Sequence, residues 1–248
     1  MEQSNPQAVP AQTWINKAAL YELLAQSFLL VTRELTEALA NGEYAEALAE
    51  IGGANQLDAV VLKEAVEELA VYRGRDTDEL FHELRVEYTH LFVGAPEPAV
   101  SPFAGVWWAR NAGVQPLLFV NKESMAVERF MRSCGIGSRE GTNEPLDHLG
   151  SELEFLQYLC LLRADAVAAP AASEPTTAVA VVEPGAAASA EPSAPAAPAV
   201  PAQAYEDFYA VHFSTWVFEF AAKTVKEARV PFYRLAARAL GALPATPL

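Results

Sequence analysis

The stretch DTDELFHELRVEYTHLFVG, from Asp76 to Gly94, decides the fold class of this chain. The side chain of Asp76 is of a type that accepts hydrogen bonds from the free amides of a helix start, and Glu79 follows three residues later, as in a capping box. Apolar residues then recur three or four positions apart up to Phe92, which is the spacing of one helix face. The stretch therefore predicts a capped amphipathic helix that ends near Gly94.

Apolar residues with helical spacing also fill other parts of the chain. Pro145 favours a helix start, because the first amides of a helix have no partner within it. The pairs Asn41-Gly42 and Gly52-Gly53 are typical of the ends of two short helical stretches. No segment alternates with a period of two, so the sequence predicts an all-α protein. The further helices that we expect cover residues 14–31, 57–72, 122–134, 145–163 and, with a break near Pro231, 205–240.

Residues 164–204 have a different composition. They contain seven prolines, no aromatic side chain and no Lys or Arg. Such a segment cannot bury enough apolar area to offset the entropy lost on ordering, so it predicts a disordered Ala/Pro-rich linker. We therefore expect a single helical-bundle domain that this linker interrupts, with an N-terminal part at 1–163 and C-terminal helices at 205–248 that complete the same bundle.

The formal net charge of the chain is −15 at pH 7. Because nucleic-acid binders need a basic surface to meet phosphate groups, this charge excludes that class. Between Glu34 and His90 there are fourteen Asp or Glu residues and four Lys or Arg residues. A run of this kind is either a solvated face or a surface that attracts a basic partner, and the sequence leaves both interpretations open.

Neither a membrane span nor a secretory signal is visible in the sequence. No run of about 18 apolar residues is uninterrupted, and the N-terminal residues lack the basic and apolar regions of a signal peptide. We therefore expect a cytoplasmic protein without stable membrane insertion. Cys134 and Cys160 have no CxxC partner, which favours buried free thiols in a reducing compartment.

Two aromatic clusters flank a loop rich in Gly and Pro. Glu87–Gly94 precedes this loop, and Pro102–Trp108 follows it. Aromatic side chains on a stiff loop lose little entropy on binding, so they can form an apolar groove for a peptide. The alternative is that the same aromatic residues belong to the hydrophobic core.

A second cluster contains Glu144, Asp147, His148 and Glu152, near the start of one expected helix. A metal site needs about three converging ligands, and no HExxH or equivalent spacing is present. No nucleophile-base pair and no Walker-type phosphate loop accompanies the cluster, so we expect no catalytic site, no metal and no cofactor. Carboxylates in this arrangement suit a guanidinium group, or they cap a helix.

These motifs, in this order, resemble the TorD/DmsD family of cytoplasmic chaperones for molybdoenzymes. The resemblance implies an all-helical protein that binds the twin-arginine signal peptide and the apo catalytic subunit of a molybdopterin oxidoreductase. Such a chaperone holds the apoprotein during cofactor insertion and delays its export. The matching segments are Glu87–Gly94, Ser101–Trp107, Asn143–Leu153, Phe208–Trp216 and Pro231–Ala236.

The resemblance also implies site residues. The polar end of the site would contain Glu144, Asp147, His148 and Glu152. Its apolar groove would be lined by Tyr88, Leu91, Phe92, Pro102, Phe103, Val106 and Trp107. Two alternatives stay open: a NarJ-type assembly chaperone for a nitrate-reductase-like subunit, and a metal- or nucleotide-dependent helical enzyme. The long linker permits a monomer or a domain-swapped dimer.

Overall fold

The computed structural model describes residues 9–114, 122–137, 145–168 and 200–247. Within these residues it contains eleven α-helices, short 3-10 and π turns, and one isolated antiparallel bridge, which confirms the all-α prediction. The helices are α1 (Ala11–Phe28), α2 (Arg33–Asn41), α3 (Glu43–Ala54), α4 (Ala59–Leu69), α5 (Thr77–Tyr88), α6 (Ala104–Asn111), α7 (Lys122–Ser133), α8 (Leu149–Ala168), α9 (Ala204–Val211), α10 (Val217–Glu227) and α11 (Pro231–Gly241).

Helices α1 and α8 form the most extensive helix pair of the described structure. Gly150, at the start of α8, allows close approach, because a Cβ atom built there would lie 2.4 Å from Cδ2 of Leu29. Helix α9 joins the pair through a hydrogen bond between the hydroxyls of Tyr21 and Tyr205, 2.9 Å apart. These three helices pack against one another along one side of the core.

Helices α10 and α11 belong to the same core as the N-terminal helices. The ring of Phe220 lies 5.5 Å from that of Phe28, measured between centroids. The amide of Phe232 donates to the hydroxyl of Tyr72 over 3.0 Å. The segments on both sides of the predicted linker therefore build one helical bundle.

Several predicted helix ends are confirmed. The carboxylate of Asp76 accepts from the amides of Asp78 and Glu79, each over 3.0 Å, and so caps α5. Helix α2 ends at Asn41, and Gly42 follows with a φ of 95°, a left-handed conformation that glycine adopts without strain.

Two expected boundaries are wrong. Gly52 and Gly53 do not separate helices but lie inside α3, where the missing side chain of Gly52 leaves room for Leu62 of α4. Pro145 does not open α8, which begins at Leu149. The reason is that the residues just before α8 form backbone hydrogen bonds to the loop that precedes α6, and these bonds are incompatible with a helix.

The segment 169–199, which contains most of the predicted linker, lies outside the described residues. Helix α8 continues to Ala168 rather than stopping at Arg163, and α9 begins at Ala204. An ion pair between Arg163 and Glu206 joins these two helices. Both cysteines are buried and free, as expected. None of the helices in the described ranges is long and apolar enough to cross a membrane.

Candidate functional site

The first aromatic motif lies in the core. Helix α5 continues into a π-helical turn, Thr89–Val93, which directs both Leu91 and Phe92 inward. The ring of Phe92 stacks on Phe220 of α10 at a centroid distance of 5.8 Å, and it meets Tyr88 edge to face at 5.3 Å. This part of the motif therefore links α5 to the C-terminal helices.

The second aromatic motif packs against the first. The amide of Val100 donates to the carbonyl of Leu91 over 2.8 Å, which holds the loop against the π-helical turn. The indole of Trp107 donates to the carbonyl of Ser101 over 2.8 Å, and so satisfies its buried N–H group. Pro102 and Val106 are also buried, whereas Phe103 is half-buried.

Asp147 connects three helices. Its backbone carbonyl accepts from the amide of Ala104 over 3.0 Å, next to the isolated bridge between Phe103 and His148. Its Oδ2 atom accepts from the amide of Gly105 over 3.1 Å and from the hydroxyl of Ser124 over 2.6 Å. Asp147 therefore caps the N-terminus of α6, fixes α7 through Ser124, and precedes α8 in the chain.

His148 caps α8. Its Nδ1 atom accepts from the amide of Gly150 over 3.1 Å, and its ring meets Phe103 edge to face at a centroid distance of 5.4 Å. Burial lowers the pKa of His148 to about 4. The ring is therefore neutral near pH 7, with Nδ1 free of a proton and able to accept the hydrogen bond.

Glu152 is a fully buried carboxyl group in the first turn of α8. Its Oε2 atom accepts from the indole of Trp216 over 3.2 Å, whereas Oε1 has no hydrogen-bond partner among the described residues. Burial raises the pKa of Glu152 well above its ordinary range, and the nearby charge of Asp147 raises it further. The buried surroundings therefore favour the protonated, neutral form of this carboxyl group.

The structure brings the two predicted parts of the site into contact, but it places most of their residues inside the core. Glu144 lies outside the described residues. Among the other residues predicted to bind a peptide, only Phe103 is partly exposed. Buried are Tyr88, Leu91, Phe92, Pro102, Val106, Trp107, Asp147, His148 and Glu152. Their role in peptide binding therefore stays a prediction, and access to them requires a movement of the elements that cover them.

Three residues with a part in this site were missed by reasoning from the sequence. Ser124 and Gly105 share the carboxylate of Asp147, and no local pattern singles them out. Trp216 could have been identified from the sequence as a residue with a buried polar partner, because a buried indole N–H group needs a hydrogen-bond acceptor. Identifying Glu152 as that acceptor requires the tertiary structure.

Comparison with known proteins gives one family. The nitrate reductase delta subunit family matches residues 55–222, which is more than half of the chain. The chaperone protein TorD of Photobacterium profundum is 28% identical over 102 residues, 40% of this chain and 45% of that protein. TorD of Shewanella pealeana is 25% identical over 148 residues, 58% of this chain and 65% of that protein.

A third relative, TorD of Shewanella sp. (strain ANA-3), is 26% identical over 154 residues, 60% of this chain and 69% of that protein. The matched region thus spans between 45% and 69% of the lengths of these three relatives. The family match runs from α4 into the first half of α10 and includes both motifs of the candidate site. The chain therefore belongs to the nitrate reductase delta subunit family, in agreement with the resemblance of its motifs to the TorD/DmsD chaperones.

Proposed function

We propose that the chain is a maturation chaperone that binds the twin-arginine signal peptide and the apo catalytic subunit of a molybdopterin oxidoreductase. The observation that carries this proposal is the bridge between Phe103 and His148, which places the aromatic motif directly beside the carboxyl group of Asp147. A twin-arginine leader has a basic front and an apolar stretch behind it, so it needs an acidic and an aromatic surface side by side.

The chemistry of the two parts fits such a ligand. A guanidinium group forms charge-assisted, bidentate hydrogen bonds with a carboxylate, and Asp147 offers this acceptor. Each apolar side chain of the leader that is well buried contributes roughly 1.5–3 kcal/mol before the cost of ordering the peptide. We propose that the chaperone acts in the cytoplasm, before the client is exported, and that it delays export while the cofactor is inserted.

A leader-binding experiment tests the proposal. Binding of a fluorescently labelled twin-arginine leader to the full chain is measured by polarisation. We expect Asp147→Asn combined with His148→Ala to weaken binding about 10- to 100-fold, which corresponds to the loss of a charge-assisted hydrogen bond. The matched control is Asp207→Asn with His82→Ala, the same two changes at exposed positions, which we expect to leave the affinity unchanged.

A change in the ligand makes the test independent of protein folding. A leader with both arginines replaced by glutamine should lose affinity for the unaltered chain, and added salt should weaken binding of the original leader. If the unaltered chain binds neither the leader nor the apo-subunit, the proposed function is wrong.

The second candidate is a NarJ-type assembly chaperone for a nitrate-reductase-like subunit that is not exported. The matching family, described as the nitrate reductase delta subunit, favours this alternative. Pull-down experiments separate the two candidates, because the whole apo-subunit would bind to a NarJ-type chaperone whereas an isolated twin-arginine leader would not.

A further inference from the structure

Helix α7 is an amphipathic helix whose apolar face lies over the candidate site. Ser124, Val127 and Met131 recur at helical spacing along the face that points to the rest of the protein, and Val127 and Met131 are buried. Lys122, Arg129 and Arg132 are exposed. An amphipathic helix in an apolar groove is a recurring mode of peptide recognition.

The surface beneath α7 is formed by α6, α8 and α9. The half-buried ring of Phe130 lies 6.2 Å from Phe155 of α8, 5.5 Å from Phe208 of α9 and 5.5 Å from His212, all measured between ring centroids. Near the N-terminal end of α7, the hydroxyl of Ser124 donates to the carboxylate of Asp147 over 2.6 Å. This surface thus combines an aromatic pocket with a carboxylate acceptor, one helix turn or more apart.

Helix α7 is held less firmly than the helices around it. Of its twelve residues only Val127 and Met131 are fully buried, whereas neighbouring α8 buries residues along most of its length. Two of its side-chain hydrogen bonds, from Arg132 to Glu128 and from Ser133 to Phe130, stay within the helix. Detachment of α7 therefore exposes only two fully buried side chains of the helix itself, and it uncovers the rings of Phe155 and Phe208, which apolar side chains of an incoming helix would cover again.

We infer that the surface formed by α6, α8 and α9 is the docking site for an amphipathic client helix with a cationic side chain, and that α7 occupies this surface until the client displaces it. A client guanidinium takes the place of the Ser124 hydroxyl on Asp147, where it forms a stronger, charge-assisted hydrogen bond. Apolar side chains of the client take the places of Val127 and Phe130. The inference rests on the proposed function and adds the surface that the leader occupies and the competition that regulates access to it.

Because α7 and the client compete for the same surface, a substitution that loosens α7 should raise the affinity for the client. Ser124→Ala removes the hydrogen bond that holds α7 to Asp147 but leaves the carboxylate in place. We expect this variant of the full chain to bind the twin-arginine leader about three- to tenfold more tightly, which corresponds to one hydrogen bond. Ser133→Ala, which removes an exposed hydroxyl from the same helix, is the matched control and should not change the affinity.

Hydrogen exchange gives a second readout that does not depend on a variant. On binding of the leader to the unaltered chain, the amides of α7 should lose protection, while the first turn of α8 should not.

Tighter binding by Ser124→Ala together with deprotection of α7 supports the inference. If the leader binds but α7 keeps or gains protection, or if Ser124→Ala binds no more tightly, the inference is overturned and the proposed function survives. If the leader and the apo-subunit bind to no form of the chain, both are overturned.

Discussion

The indole N–H group of Trp216 donates to Oε2 of Glu152 over 3.2 Å, and the two residues lie on opposite sides of the segment 169–199. The hydrogen bond joins α8 to the start of α10 inside the core. Because the second carboxyl oxygen, Oε1, has no partner among the described residues, this carboxyl group is costly to ionise.

Glu152→Gln should therefore change how stability depends on pH. The pKa of Glu152 in the folded protein is raised well above its ordinary value of 4.5, so above that pH the folded state keeps a proton that the unfolded state has lost. The free energy of unfolding of the unaltered protein therefore falls as the pH rises above 4.5, until the folded state also loses this proton. Gln keeps an acceptor for Trp216 and cannot ionise, so the fall should disappear. Urea denaturation at pH 5 and pH 8 measures it, and parallel profiles for the two proteins would contradict the prediction.

His148→Asn should change the pH dependence in the opposite direction. The pKa of His148 is lowered from 6.5 to about 4 in the folded protein, so the unfolded state binds more protons between these values and stability is lost as pH falls. The loss by pH 4 amounts to roughly 3 kcal/mol. Asn retains an acceptor for the amide of Gly150 but does not titrate. Denaturation curves from pH 4 to 7 should be flatter for the variant; an unchanged slope would show that His148 is not the titrating group.

Gly52→Ala and Gly53→Ala should have opposite effects on stability. A Cβ atom at Gly52 would lie 2.4 Å from Cδ2 of Leu62, so the Leu62 side chain must leave its packed position and the substitution should cost about 1–3 kcal/mol. A Cβ atom at Gly53 meets nothing within 4 Å. Because Ala is the better helix former, Gly53→Ala should stabilise by about 0.5–1 kcal/mol. Thermal melts of the two variants check the signs, and a loss of stability for both would mean that the end of α3 is not helical in solution.

Arg163→Ala should destabilise the protein more than Arg33→Ala. Arg163 pairs with Glu206, with side chains that are 27% and 23% exposed, and its guanidinium lies 5.3 Å from the ring of Trp14. Arg33 pairs with Asp78 at 61% and 73% exposure. We expect a loss of about 1–3 kcal/mol for Arg163 and a much smaller loss for Arg33, since exposed ion pairs contribute little. Chemical denaturation measures both; equal losses would contradict this ranking.

Local patterns in the sequence predicted the elements whose ends depend on local chemistry. Asp76 caps α5 because the acceptor and the free amides are a few residues apart, and Gly42 ends α2 because its backbone conformation is left-handed. Both causes are visible within a short stretch of sequence. The all-α class follows from many such stretches, which agree with one another.

Local sequence patterns could not predict which distant residues surround the motif residues in the fold. Asp147 resembles a cap for the helix that follows it, yet its carboxylate serves Gly105 of α6 and Ser124 of α7. Pro145 resembles a helix start, yet the chain after it pairs with the loop near Pro102 before α8 begins. These outcomes depend on which distant segments meet, and periodicity within one segment carries no information on that.

The π-helical turn Thr89–Val93 has a consequence for how the family motif can change. The amide of Gly94 donates to the carbonyl of Thr89, five residues back, so the turn holds one residue more than an α-helical turn. Deletion of one residue here would restore ordinary α-helical geometry and remove the extra residue that lets both Leu91 and Phe92 point inward. Phe92 would then leave its stack on Phe220. Substitutions that keep aromatic character are tolerable at this position, whereas a change in segment length is not, so insertions and deletions should be excluded here even among distant relatives.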